Sequence, residues 1–245
     1  GITRHLSVSS WKKPLVAAGW PCLQVAVMPD PGRVLITVGL EQTGRADVLD
    51  VLRCTQSLES VFTGIGVPVE KLYVRAEDFP RLDRIREVIS SRLPARVFNL
   101  FEGFSGDAGM EISFARMLEN LGVPFTGNPS TTLGKCLDKE GAKRLLERNS
   151  IPVPRGIFLR DLEGHPWSGL DFPLFIKPCF EDGSVGIERD CLVSEEGSLE
   201  KVLRQKLDEF PKGIILKEFI PGREYNVGFL GSPPSRSAFG MRKLA

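Results

Sequence analysis

The chain has 245 residues, of which 42% are hydrophobic and 26% are charged, the mixture expected of a globular protein with an apolar core. Its 32 basic and 31 acidic side chains leave a net charge of +1, so no overall field attracts nucleic acid or an anionic membrane. No apolar run reaches the roughly 20 residues that span a bilayer. We therefore expect neither nucleic acid nor a membrane as a partner.

The cysteine and histidine content indicates a reducing compartment. The 5 cysteines are scattered and never form a C-x-x-C pair, and there are only 2 histidines. This pattern argues against a zinc site and against a disulfide framework, so we predict a cytoplasmic protein. Any divalent metal would be bound by oxygen ligands.

The beginning of the chain differs from the rest, with two of the 3 tryptophans and almost no acidic residues. We predict that residues 1–32 are a non-native or disordered extension, in which residues 1–27 precede a plausible start at Met28. A signal peptide is the alternative, because Lys12 and Lys13 precede an apolar stretch, although prolines and glycines interrupt it.

From residue 33 onward, strand-like and helix-like segments alternate. Gly122 follows one of the helical segments, where a helix C-cap is expected. Strands that alternate with helices form parallel sheets covered by helices, so the pattern predicts a Rossmann-like α/β domain over residues 33–126. The predicted strands are 34–39, 69–74, 96–101 and 123–127, and the predicted helices are 46–62, 80–91 and 108–121.

The turn after the first strand, GLEQTGRA at 39–46, has two glycines five positions apart. A P-loop needs Lys and then Ser or Thr after the second glycine, and Arg45 and Ala46 occupy those positions here. We interpret the segment as an ordinary strand-to-helix turn at the carboxyl end of the sheet, an edge where ligands bind in such folds.

Past residue 130 the spacing of the predicted strands and helices changes. Asp138 is a predicted N-cap for a helix over 139–149, and a further helix is predicted over 195–209. The runs IPVPRGIFL, LFIKP and ILKEFI predict strands. We place a domain boundary in GNPSTTLG, near 126–134, so that residues 127–245 form a second domain.

The most informative segment is LFIKPCFEDGSVGI, at 174–187. Lys177 ends an apolar strand just before a proline, and the small-residue loop GSVG follows. Such a loop turns sharply and aims backbone N–H groups at an anion, and a nearby ammonium group suits a triphosphate. Taken alone, the same residues also describe a hairpin turn and a solvated lysine.

The order of three motifs resembles the ATP-grasp fold, and specifically the D-alanine–D-alanine ligase family. They are DK-x3-K from Asp138, KP-x4-GSVGI from Lys177 and EFIPGRE from Glu218, and the resemblance covers roughly residues 96–231. It implies an α/β chain with a Rossmann-like domain before the front part of an ATP-grasp domain of α+β type, including an ATP-covering lid. It also implies an ATP- and magnesium-dependent carboxylate–amine ligase that forms a dipeptide through an acyl phosphate, as in peptidoglycan synthesis.

The resemblance also implies the residues of the ATP site. Two lysines reach the phosphates, a mobile loop covers them, a strand contacts adenine, and an acid holds the ribose hydroxyl groups. In that order they are Lys139 and Lys177; Gly183, Ser184, Val185 and Gly186; Lys217, Glu218, Phe219 and Ile220; and Glu224. Glu102 and Glu41 are looser candidates for binding the substrate.

Departures from the family pattern fall mainly on the substrate side. Glu102 stands where the ligases have a histidine, and Lys217 replaces an acid. The implied partners are small molecules, namely amino acids with D-alanine among them, and a homodimer is a further expectation. The alternatives are another ATP-grasp ligase or kinase with a different substrate, and a non-catalytic nucleotide-binding fragment.

The composition of the end of the chain bears on where a magnesium ion would be bound. The segment after residue 231 contains no acidic residue, whereas Mg²⁺ is usually held by carboxylates and phosphates. By the resemblance, the magnesium ligands and the catalytic residues are expected beyond Ala245. The sequence therefore predicts no metal ligand in this chain, and little catalysis by the chain as it stands, as a fragment of a complete enzyme.

Overall fold

The computed structural model describes residues 32–41, 46–104, 107–231 and 237–243. The predicted extension lies outside these ranges up to residue 31, and so do residues 42–45 of the first strand-to-helix turn. The described residues form a parallel sheet with helices and an antiparallel sheet with helices, each with its own apolar core. This architecture confirms the predicted α/β class.

The first half is built on a three-stranded parallel sheet of order β2-β1-β3. Its strands are β1 (Val34–Leu40), β2 (Val69–Arg75) and β3 (Arg96–Leu100), and Val34 of the central strand lies opposite Val69 and Arg96. Helices α1 (Ala46–Gly64) and α2 (Leu82–Arg92) connect the strands, and α3 (Gly109–Leu121) follows β3. Gly122 ends α3 with φ +68°, the left-handed C-cap that the sequence predicts.

The apolar core of this half lies between the sheet and its helices. It includes Leu35, Ile89, Phe101 and Phe114, and the rings of Phe101 and Phe114 stack with their centroids 4.4 Å apart. Thr37 is fully buried in the central strand, where its hydroxyl group donates a 2.9 Å hydrogen bond to Asn99. That bond removes the penalty of a buried unpaired hydroxyl group.

Two short helices, α4 (Ser130–Leu137) and α5 (Lys139–Arg148), link the halves. Ser130 donates to Glu119 of α3 twice, from its backbone N–H at 2.8 Å and from its hydroxyl group at 2.7 Å. The Asp138 side chain accepts a 2.9 Å bond from the N–H of Gly141, which confirms the predicted N-cap of α5.

The second half is a four-stranded antiparallel sheet of order β4-β7-β5-β6. Its strands are β4 (Gly156–Leu159), β5 (Leu174–Pro178), β6 (Leu192–Val193) and β7 (Ile214–Glu218). Helix α6 (Glu196–Glu209) covers one face through Leu199 and Leu203, which pack with Ile176 and Leu216 of the sheet. A separate antiparallel pair, β8 (Tyr225–Leu230) with β9 (Ser237–Lys243), follows.

One predicted strand is wrong. The segment 123–127 makes a single bridge, between Phe125 and Val97, and no extended strand. Pro124 has no N–H to donate, and Gly127 has φ +103°, outside the β region, so pairing cannot continue in either direction. None of the described helices is long and apolar enough to cross a membrane.

Candidate functional site

Lys177 and Lys217 project from the face of the second sheet that α6 does not cover. In the register of β5 and β7, Phe175 lies opposite Lys217, and Lys177 follows Phe175 by two residues. Because side chains alternate along a strand, both lysines share one face, while Ile176 and Leu216 point into the core. The lysines are half-buried, and they lie diagonally across the β5–β7 pairing, near enough for the charge of Lys177 to act on Lys217.

The surroundings of Lys217 disfavour its charged form. Burial lowers the pKa of Lys217, and the ammonium group of Lys177 lowers it further, while Glu224 acts in the opposite direction. Glycine at position 156 permits this arrangement, since a Cβ atom there would lie 2.6 Å from the Cβ atom of Lys217. The strand pairing thus brings Lys217 close to Lys177, and the charge of Glu224, from the segment before β8, also acts on it.

Lys139, the first residue of α5, reaches the end of β5. Its Nζ donates to the carbonyl oxygen of Glu181 and, at 3.4 Å, to that of Cys179. Burial lowers the pKa of Lys139, the Lys177 ammonium group lowers it further, and Asp182 raises it. Lys139, Lys177 and Lys217, which we call the lysine cluster, therefore converge although 78 residues separate the first from the last in the sequence.

The loop Gly183–Gly186, which we call the glycine loop, follows β5. The predicted sharp turn is present, with φ +57° at Gly183, +64° at Ser184 and +71° at Gly186. The N–H of Val185 donates to the carbonyl of Asp182 at 3.0 Å. Those of Ser184 and Gly186 have no hydrogen-bond partner among the described residues, and such amides can bind an anion.

The far end of the glycine loop is packed against Phe210 and Pro178. A Cβ atom at Gly186 would lie 2.4 Å from the ring of Phe210 and 2.8 Å from Pro178. The carbonyl of Gly186 accepts a 3.3 Å bond from the thiol of Cys191. Burial raises the pKa of that thiol, which keeps it protonated as a donor.

Three carboxylates, those of Glu102, Glu111 and Asp182, lie near one another beside the glycine loop. Burial raises the pKa of Glu111, in the first turn of α3, and the charges of Asp182 and Glu102 raise it further. Sequence reasoning missed Glu111, because an acid in the first turn of a helix already has an ordinary explanation in the helix dipole. Glu102 and Glu41 follow the carboxyl ends of the neighbouring strands β3 and β1.

The remaining predicted residues lie just beyond β7. The carboxylate of Glu218 points away from the lysine cluster and binds Arg155 at 3.2 Å and the N–H of Asp171 at 2.9 Å. The N–H of Phe219 donates to Pro173 at 2.9 Å. Phe219 and Ile220 keep 39% and 65% of their surface exposed, which leaves both side chains available to a ligand.

The arrangement suits a polyanion better than a metal ion. Three ammonium groups lie near the end of β5, and the loop that follows has two amides without a partner among the described residues. Charge-assisted hydrogen bonds to phosphate oxygens are among the strong ones. Within the part of the chain that the structure describes, no three acidic, histidine or cysteine side chains are arranged to hold a metal ion.

Sequence relatives of this chain are D-alanine–D-alanine ligases and an uncharacterised protein. The D-alanine–D-alanine ligase of Chromohalobacter salexigens is 32% identical over 147 residues, which cover 56% of this chain and 42% of the relative. That of Erythrobacter litoralis is 30% identical over 179 residues, 70% of this chain and 53% of the relative. Uncharacterized protein y4sG of Sinorhizobium fredii is 33% identical over 143 residues, 58% of this chain and 41% of its own length. The chain thus spans about half the length of these curated relatives, and no family model matches it.

Solved structures share the fold. D-alanyl-alanine synthetase A of Vibrio cholerae superposes with a TM-score of 0.65 at 15% identity, over 87% of this chain and 67% of that protein. The D-alanine–D-alanine ligase of Bacillus anthracis complexed with ATP gives 0.60 at 17% identity, over 85% and 70%. The L-amino acid ligase of Bacillus licheniformis gives 0.58 at 19% identity, over 86% and 50%.

The sequence similarity to the Erythrobacter litoralis ligase covers 70% of this chain, and the fold shared with the Vibrio cholerae synthetase covers 87% of it. Together they support the resemblance of this chain to the D-alanine–D-alanine ligase-like family of the ATP-grasp superfamily.

Proposed function

We propose that the lysine cluster and the glycine loop bind the triphosphate of ATP, and that the whole protein is an ATP-dependent carboxylate–amine ligase. The observation that carries this proposal is the meeting of Lys139, Lys177 and the glycine loop at the end of β5. Their order and spacing match those of the family motifs, and relatives named as ligases carry the same fold.

Each residue has a defined role in this proposal. Lys139 and Lys177 hold phosphate oxygens, and the free amides of Ser184 and Gly186 close over them. The backbone from Lys217 to Ile220 contacts the base, and Glu224 accepts hydrogen bonds from the ribose hydroxyl groups. We keep the division into domains 33–126 and 127–245, which the two separate cores support.

The proposed reaction has two steps. A substrate carboxylate attacks the γ-phosphorus, which forms an acyl phosphate and releases ADP; an amine then attacks the acyl carbon and displaces inorganic phosphate. The residues of this chain contribute by positioning the phosphates, neutralising their charge and excluding water under the loop. Family resemblance also implies Mg²⁺; among the described residues no three acidic, histidine or cysteine side chains are grouped to hold a metal ion, and no step here depends on it.

The carboxylates beside the glycine loop support an amino acid as the substrate. Glu102, Glu111 and Asp182 put negative charge where the first half of the molecule faces the loop, and a substrate ammonium group would be attracted there. Glu41, at the end of β1, stays the second candidate from the sequence. A cytoplasmic location, a homodimer and a role in peptidoglycan synthesis are expectations of the same proposal.

A second candidate differs only in the substrate. The likeness to an L-amino acid ligase favours testing L-amino acids beside D-alanine. Phosphate release by the full-length protein, measured with each class of amino acid in turn, separates the two candidates.

The nucleotide site is tested with Lys177→Met, which removes the ammonium group and keeps much of the side-chain volume. Loss of one charge-assisted hydrogen bond weakens binding by about tenfold or more, so we expect calorimetry with a non-hydrolysable ATP analogue to show at least that loss. Lys201→Met, on the exposed side of α6, is the matched control and should bind as the unmodified chain does. Equal affinity for the two variants would refute the role of Lys177.

A further inference from the structure

The closeness of Lys177 and Lys217 is itself an unusual feature of the free protein. The strand register makes them diagonal neighbours on one face of the β5–β7 pairing although both are cations, and the site is half-buried, where repulsion is screened less than in water. Glu224 is exposed and offsets this only in part, because burial and Lys177 act more strongly on Lys217 than Glu224 does. Such a pair is stabilised when an anion lies between its members.

The strand register fixes this pair in place. Phe175 lies opposite Lys217 across the β5–β7 pairing, and Lys177 is the next residue on the same face. On the other side, the close approach of Gly156 holds β4 against the backbone of Lys217. The two lysines therefore stem from the central strands of the sheet, and they point into the region that Lys139 borders.

We propose that Lys217 is a third phosphate-binding lysine, whose ammonium group binds the same polyphosphate as Lys177 instead of the nucleotide base. An ammonium group is a donor without an acceptor site, so it cannot accept a hydrogen bond from the amino group of adenine. A phosphate oxygen between Lys177 and Lys217 converts one repulsion into two charge-assisted hydrogen bonds. This assignment rests on the proposed function, which supplies the polyphosphate as part of a nucleotide.

Proton uptake is a measurable consequence. The groups that act on Lys217 are Lys177 from β5 and Glu224 from the segment before β8, while the β4 neighbour Gly156 is not titratable. An anion bound between the lysines favours the charged form of Lys217, so its lowered pKa rises toward its ordinary value on binding. Any fraction of Lys217 that is neutral in the free protein then takes up a proton.

The experiment uses the full chain and two probes, inorganic tripolyphosphate and adenosine, whose binding is measured directly by calorimetry beside that of a non-hydrolysable ATP analogue. We expect Lys217→Gln to weaken tripolyphosphate about tenfold, from the loss of one charge-assisted bond, and to leave adenosine unchanged. Lys217→Arg should restore most of the tripolyphosphate affinity, and Lys201→Gln on α6 should change neither probe. Circular dichroism checks that each variant is folded.

The outcomes separate this inference from the proposed function. Suppose that Lys177→Met loses nucleotide binding, while Lys217→Gln keeps full tripolyphosphate affinity or loses adenosine binding instead. Lys217 is then not a phosphate ligand, and the proposed nucleotide site stands. If tripolyphosphate binding depends on Lys217 but no nucleotide binds, the anion site stands, and the proposed function falls. If the unmodified chain binds neither probe nor analogue, both are overturned.

Discussion

Gly186 offers the most direct test of how the glycine loop is held. Its φ of +71° disfavours any residue with a Cβ atom, at about 1–2 kcal/mol. A Cβ atom there would also lie 2.4 Å from the ring of Phe210 and 2.8 Å from Pro178, contacts that force both rings to shift. Overpacking of this kind costs about 1–3 kcal/mol, so Gly186→Ala should lower the free energy of unfolding by about 2–5 kcal/mol.

Gly183→Ala is the matched control for this prediction. Gly183 also has a positive φ, +57°, but a Cβ atom there would contact nothing within 4 Å. Only the backbone cost remains, about 1–2 kcal/mol. Urea unfolding followed by circular dichroism gives both values on one scale.

A third variant identifies the source of the cost. If the ring of Phe210 is the obstacle, Gly186→Ala should be less damaging when Phe210 is already alanine, with a coupling energy of about 0.5–3 kcal/mol in the double-mutant cycle. Equal destabilisation by Gly186→Ala and Gly183→Ala, with no coupling to Phe210, would refute the view that packing holds the far end of the loop.

Two further substitutions test the junction of the two halves and the pairing of the second sheet. The hydrogen bonds from Ser130 lower the pKa of Glu119 in the folded protein. The stability that this carboxylate contributes is therefore complete above the ordinary carboxyl pKa of about 4. It is lost as the pH falls through the lowered pKa of the folded state. Urea unfolding should therefore show Glu119→Gln less stable than the unmodified chain at neutral pH, with the gap closing in strong acid; a gap that persists there would contradict this linkage. Gly156→Ala would put a Cβ atom 2.5 Å from the carbonyl oxygen of Leu216, so it should lower the free energy of unfolding by about 1–3 kcal/mol or more. A Cβ atom at Gly197 in α6 would have nothing within 4 Å. Gly197→Ala should therefore be neutral or stabilising by up to about 1 kcal/mol. Similar thermal midpoints for these two variants would contradict the close approach of β4 to β7.

Helices and strands were predictable from the sequence where a single hydrophobic pattern, an apolar run or a helical spacing, dominated the segment. The apolar run of β1 and the helical spacing of α1 and α3 need only burial and periodicity, and the structure has all three near their predicted bounds. Helix α4 was missed because its sequence, STTLGKCL, has two β-branched residues and a glycine, which are poor helix formers. Tertiary hydrogen bonds to Glu119 hold this helix at its first residue, and a sequence pattern cannot show them.

The candidate site was predictable in its residues more than in its geometry. Lys139, Lys177 and the glycine loop stood out because several motifs occur in one order. The sequence could not show that Lys217 faces Lys177 while Glu218 turns toward Arg155, because that depends on the register of β5 against β7. Glu111 escaped notice for a similar reason, since its significance comes from Asp182, a residue 71 positions away in the sequence.

The contacts of the glycine loop connect phosphate binding with loop position. Lys139 donates to the carbonyl of Glu181 just before the loop, while Gly186 is packed against Phe210 at its far end. Under the proposed function, an arriving phosphate competes with that carbonyl for the same ammonium group. Binding then releases one end of the loop and leaves the other end packed, so the exposed residues between them can swing toward the phosphate without disturbing the apolar core of the second sheet.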